Sequence, residues 1–130
     1  MDIPQKITPQ WLRQHPEYVF VFGDNLQRWG KGGAAVCRDE PNAYGFITKK
    51  APNNNDSSFY RPDEEYLQIA YDEMIKLTVY IINHPNQTFL VSRLGAGLAN
   101  RYGIYEKILL PLLGVLNTHE MVGERVVLLP

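Results

Sequence analysis

The chain has 130 residues, 45% of them hydrophobic, enough for one globular domain, residues 1–130, with a core of its own. Thirteen Lys and Arg against 14 Asp and Glu leave a net charge of −1, so no global field selects nucleic acid or an anionic membrane, and any polyanion site has to be local. One cysteine, Cys37, excludes a disulfide framework and a multi-cysteine zinc site; His15, His84 and His119 stand far apart, and no metal or cofactor is expected. The opening MDIPQK has neither the pattern of a signal peptide nor that of a transit peptide. No apolar stretch approaches the roughly 18 residues of a membrane span, so the expectation is a soluble cytoplasmic protein with no membrane partner.

Thr8-Pro9 reads as an N-cap followed by proline at the first helical position, predicting a short helix over 9–14. Tyr18 to Phe22 (YVFVF) is a continuous aromatic and β-branched run, the pattern of a strand buried on both faces. A glycine-rich loop follows, then a short helix over 33–38 that Pro41 stops, and a second strand over 44–49. Residues 51–61 (APNNNDSSFYR) are turn-rich and polar, a surface loop and a candidate lid.

Pro62-Asp-Glu-Glu opens the longest helix, with acids in the first turn where the dipole favours them. Leu67, Ala70, Tyr71, Met74, Leu77, Thr78 and Ile81 follow helical spacing and predict one core-facing stripe, ending near Asn83-His84-Pro85. Phe89 to Ser92 is a third strand, and residues 95–103 form a second glycine-bearing loop. Residues 104–116 are apolar at helical spacing, with Pro111 expected to kink or interrupt them. Val126 to Leu129 makes a last strand. Strands alternating with helices predict an α/β sandwich, a largely parallel or mixed sheet between helices.

Ligands of open α/β sheets bind at the carboxyl ends of strands, where both glycine loops lie. Neither matches a standard phosphate motif well. Gly30-Lys31 is followed by Gly32 where a P-loop needs Ser or Thr. Gly30-x-Gly32-x-x-Ala35 fits the loose dinucleotide fingerprint, but it is too far from its strand, and Lys49-Lys50 stands where an acid is wanted. Asp24 and Asn25 either contact an adenine amino group or ribose hydroxyl, or close an Asx-turn. Trp29 and Tyr102 either stack on a base or ribose, or cover the sheet end. Lys49 is a solvated strand-end lysine or a functional one. Arg93 meets a phosphate or bridges to Asp24, and Cys37 reads as a small buried apolar residue.

Gly30-Lys-Gly-Gly-Ala-Ala, a strand ending Ile47-Thr48-Lys49-Lys50, the long helix and Arg93-Leu-Gly-Ala-Gly-Leu, in that order, resemble a macro domain over residues 18 to 129. The resemblance is to the compact branch typified by the terminal ADP-ribose protein glycohydrolase, and also to uncharacterised macro-like proteins of phages and bacteria. It implies a three-layer fold binding ADP-ribose or a related NAD-derived nucleotide, free or on an ADP-ribosylated macromolecule. It assigns ligand contacts to Gly23, Asp24, Asn25, Gly30, Gly32, Gly33 and Ala34 in the first loop. In the second it assigns Arg93, Gly95, Ala96, Gly97, Leu98, Asn100 and Tyr102. In that branch the first lysine of the ITKK motif is the nucleophile, here Lys49, and an aspartate after the second glycine loop is the acid/base. Ala99 and Asn100 stand where that aspartate is expected, leaving Asp24 as the candidate acid/base. Hydrolysis of ADP-ribose from a modified target, binding without turnover, and an interaction protein with no nucleotide site all stay open at this point.

Overall fold

Aromatic and β-branched side chains favour extended backbone, and Tyr18–Asn25 forms β1, three residues longer than the apolar run because Gly23, Asp24 and Asn25 continue the pairing. The computed structural model describes residues 3–130. Its other strands are β2 (Ala43–Lys49), β3 (Thr88–Val91) and β4 (Val126–Leu128). The sheet order is β2-β1-β3-β4, and every adjacent pair is parallel. The α/β sandwich is therefore realised with a parallel sheet; among the described residues, antiparallel pairing is confined to the bridge between Lys49 and Phe59.

Strand side chains alternate between faces, and this places Val19, Val21, Phe89 and Val91 on one side and Phe20, Phe22 and Leu90 on the other. The first side is covered by α2 (Glu64–Ile82) and α3 (Leu110–Thr118). The second is covered by α1 (Pro9–Gln14) and by the tight 3-10 segment Gly33–Cys37. Thr8 caps α1 by accepting from the Trp11 N–H, as Thr-Pro predicts. Cys37 is fully buried in this layer, and burial, with the charge of Glu40, raises its thiol pKa. No helix among the described residues is long and apolar enough to cross a membrane.

Pro111 interrupts the regular α-helical pattern without ending the helix, as expected. The turns before it are of the wide π type over Tyr105–Leu109, and regular helix starts at Leu110, one residue before the proline. On α2, Asp63 accepts from the Tyr66 N–H as N-cap. Ala70, Met74, Leu77 and Ile81 are buried as expected, but Leu67 and Tyr71 are exposed and Thr78 is half-buried. Apolar residues run most of the way round this helix, so helical spacing alone fits more than one face. The sheet selects the face bearing Tyr66 and Glu73, because both find partners on β2. The Tyr66 hydroxyl donates to the Ile47 carbonyl at 2.7 Å, and the Ile47 N–H donates to Glu73 Oε1 at 2.7 Å. With Arg28 donating to the Gly45 carbonyl at 2.9 Å, the outer edge of β2 is closed to strand addition.

Glu73→Ala leaves the Ile47 N–H buried without an acceptor and should cost about 1–3 kcal/mol in urea unfolding. Glu73→Gln keeps an acceptor oxygen and should recover most of that loss; equal destabilisation by both would rule out the hydrogen bond as the source.

Candidate functional site

The chain leaves β1 towards the α1 face and β2, and leaves β3 towards the α2 face and β4. Between the carboxyl ends of β1 and β3, successive connections therefore diverge, and such a switch point opens a crevice above the sheet. Both glycine loops begin there.

The first loop is organised by a buried carboxylate. Arg38 grips Asp24 at 2.6 and 3.0 Å, and Arg28 reaches the same group at 3.2 Å. The Asp24 side chain is almost wholly buried. Burial pushes its pKa up, but hydrogen bonds from Arg38, the Asn25 N–H and Arg28 outweigh that and hold it below the ordinary 3.8. The bridge to Asp24 is thus made by Arg38 and Arg28, whereas Arg93 lies elsewhere. Asp24 is also why residue 45 is glycine: a Cβ there would stand 2.4 Å from the carboxylate. Asn25 closes an Asx-turn, accepting from the Gln27 N–H at 3.0 Å and donating to the Trp29 carbonyl at 2.8 Å. Asp24 and Asn25 accordingly hold the loop's own backbone, and Trp29 stands exposed at its tip.

Beyond that framework the loop opens. Gly33 has φ +57, a left-handed conformation that favours glycine. Gly32 is extended, and a Cβ at either position would meet no atom within 4 Å. The 3-10 turn that starts at Gly33 has no side-chain cap. The second loop repeats this arrangement: Gly97 precedes the turn Leu98–Asn100, has no side-chain cap, and faces open space where a Cβ would be. Gly23 and Gly95 differ, because a Cβ would press on Thr48 Oγ1 at 3.1 Å and on Leu109 Cδ1 respectively, and Gly95 also has φ +80, a left-handed backbone that favours glycine. Asn100 is also committed, accepting from the Tyr105 N–H at 2.9 Å and donating to Glu106.

A cavity of about 280 Å³ lies at the switch point, bounded by Gly33 and Ala34 of the first loop, Ser92 and Arg93 after β3, and Phe20, Ile7 and Leu129. Arg93 is exposed there, its guanidinium 5.0 Å from the Tyr105 ring and donating to the Tyr105 hydroxyl at 3.4 Å.

Lys49 lies in a second cluster. Its Nζ donates to the Asn53 carbonyl at 2.7 Å and sits 4.7 Å from the centre of the Phe59 ring. Burial, reinforced by the charge of Arg101, lowers its pKa from 10.5. Arg101 lies 4.0 Å from the same ring and 3.4 Å from Asp56. Asp56 also accepts from the Tyr102 hydroxyl, and Arg61 stacks on the Tyr102 ring at 3.8 Å. The 51–61 segment is thereby clasped to the second glycine loop. The structure thus joins Gly33, Ala34 and Arg93 at the cavity, and Lys49 with Tyr102 through the clasp. Sequence reasoning missed Arg28, Arg38, Asp56, Arg61 and Arg101, since each acts through a contact distant in the chain or across a turn, with no local spacing signal.

The chain belongs to the family of unknown function DUF7831, whose sequence model matches residues 3–100, a span holding both glycine turns and Lys49. No curated protein matches the chain significantly, and no solved structure does.

The depressed pKa of Asp24 sets a sign for its pH dependence. Its pairing stabilises the fold fully above the unfolded value near 3.8 and is lost as pH falls through the lower folded value. Asp24→Ala should cost about 3 kcal/mol near neutrality by leaving Arg38 uncompensated. In denaturation series at several pH values, the gap to wild type should narrow below pH 3.8; a gap independent of pH would exclude ionised Asp24 as its origin.

Proposed function

We propose that the protein binds ADP-ribose or a closely related NAD-derived nucleotide across the two glycine loops, as a macro-like domain. The observation that carries this reading is the paired arrangement at Gly32-Gly33 and Gly97-Leu98. Two uncapped turns, with space beside their backbones, follow the two strands that bound the switch point, and Gly33 lines the cavity there. Amides of such turns suit the oxygens of a diphosphate, and Arg93 supplies a cation for the same charge. The cavity is near the lower end of the size range for small-molecule pockets, roughly 300 Å³, so it takes one part of a dinucleotide while the rest lies along the open loops. Leu98 and Trp29, both exposed on those loops, offer apolar cover for a ribose or base.

Turnover is a second reading, and Lys49 favours it, because a lysine with lowered pKa reaches its nucleophilic amine form more readily. The acid/base role is vacant at Ala99 and Asn100, while Asp24 is buried against two arginines. Asp56 and Glu106 are the carboxylates bonded to residues of the second loop. Binding without cleavage is therefore the primary reading, and ADP-ribosylated macromolecules are the partners it implies.

Gly32→Val is compatible with the extended backbone and clashes with nothing in the free protein, so it should fold normally and weaken ADP-ribose by at least about tenfold, ~1.4 kcal/mol. Calorimetry on wild type, Gly32→Val and Arg93→Ala checks this. No heat with wild type at millimolar ADP-ribose would remove the nucleotide reading. Release of ADP-ribose from a modified protein that disappears in Lys49→Ala would establish hydrolysis, and binding with no release establishes a reader.

A further inference from the structure

We infer that the outer face of α2 is a self-association surface on which a second copy of this chain docks in antiparallel orientation. Leu67, Tyr71, Ile75, Val79 and Ile82 are 37, 48, 63, 50 and 37% exposed. Residues three and four apart are neighbours on a helix surface, so these five form one apolar ridge on the solvent side of α2. Isolated exposed leucines need no explanation, whereas a contiguous apolar strip does. The same helix already buries its opposite face through Tyr66, Ala70, Met74, Leu77 and Ile81, so the ridge is additional to what the fold requires. At 1.5 Å per residue it runs about 22 Å.

Two features select a second copy as the occupant. The ridge is near-symmetric about Ile75, with large apolar residues at four-residue steps towards the N-terminus and four- and three-residue steps towards the C-terminus. A two-fold interface needs such a surface, since the same patch must meet itself. The charges along it are also self-complementary. Asp72 and Lys76 both lie on the ridge's polar flank, and their nearest ties are weak: Gln68 to Asp72 at 3.0 Å on the exposed surface, and Lys76 to Glu73 at 4.0 Å. In an antiparallel pair centred at the level of residue 74, one residue from Ile75, Asp72 of each copy faces Lys76 of the other. A parallel pair would instead bring like ends of the two helices together. An anionic lipid surface is disfavoured, because Glu64, Glu65, Asp72 and Glu73 outnumber Lys76 along this helix, whereas membrane-surface helices carry cations on the polar face. Since one helix face is less than a standard interface, the association is reversible.

Sedimentation velocity over low to high micromolar concentrations tests this. Wild type should shift from monomer towards dimer. Ile75→Arg, an exposed substitution that spares the core, should raise the dissociation constant by at least about tenfold. Asp72→Lys should weaken the dimer a few-fold by facing Lys76, and adding Lys76→Asp should restore it by re-forming the pair in reverse. A wild type that stays monomeric throughout would overturn the proposal, as would a dimer indifferent to Ile75→Arg. Failure of the charge reversal to restore association would overturn the antiparallel register. ADP-ribose affinity, measured on the same samples, should be unchanged in Ile75→Arg, which separates this surface from the proposed nucleotide site.

Discussion

The salt bridge of Asp24 with Arg38 fixes the end of the sheet on which the proposed site is built. Asp24 is the seventh residue of β1 and pairs with Ile47 of β2, while Arg38 follows the 3-10 segment at the far end of the glycine loop. Their contact closes that loop onto the strand it left. Arg38 also donates to the Gly30 carbonyl at 2.9 Å, and Arg28 extends the network to Gly45 and Glu73. A buried carboxylate left unpaired would be severely destabilising, so the loop has one arrangement that keeps the charge satisfied. With one end held, glycines 32 and 33 can remain open to solvent without the loop collapsing on itself.

Topology does the rest. Because β1 and β3 send their connections to opposite faces, two loops that are distant in sequence both start at the switch point. The second loop is held by different means: Gly95 packed against Leu109, Asn100 bonded to the Tyr105 N–H, and Asp56 with Arg101 and Tyr102 tying it to the 51–61 segment. Cations stack on aromatic rings throughout this region, as with Arg61 on Tyr102 and Arg101 on Phe59. A chain of net charge −1 thus holds Arg61 and Arg101 together around the second loop, with Asp56 between them and the loop.

The strands and most helix limits were legible because they are written in local residue choice: YVFVF for β1, Thr8-Pro9 for α1, Asp63 for α2. The buried face of α2 was less so. Leu67 and Tyr71 fit the spacing rule as well as Tyr66 and Glu73 do, and only the hydrogen bonds that β2 offers decide between them. The glycines were visible as a class, but their roles were not. Gly23 resists a Cβ because of a neighbour, Gly95 because of both a neighbour and its left-handed backbone, and Gly33 because of its backbone alone, whereas Gly32 and Gly97 face open space. Those distinctions depend on what stands across space. So do Arg28 and Arg38, whose spacing from Asp24 carries no motif.

The central claim is that backbone amides of both glycine turns meet one phosphate-bearing ligand, and nitrogen-15 amide spectra recorded during an ADP-ribose titration address it most directly. Gly32, Gly33, Gly97 and Leu98 should shift together along one binding isotherm while the amides of α2 stay in place. Unmoved glycine amides at saturating ligand, or shifts confined to one loop, would contradict it.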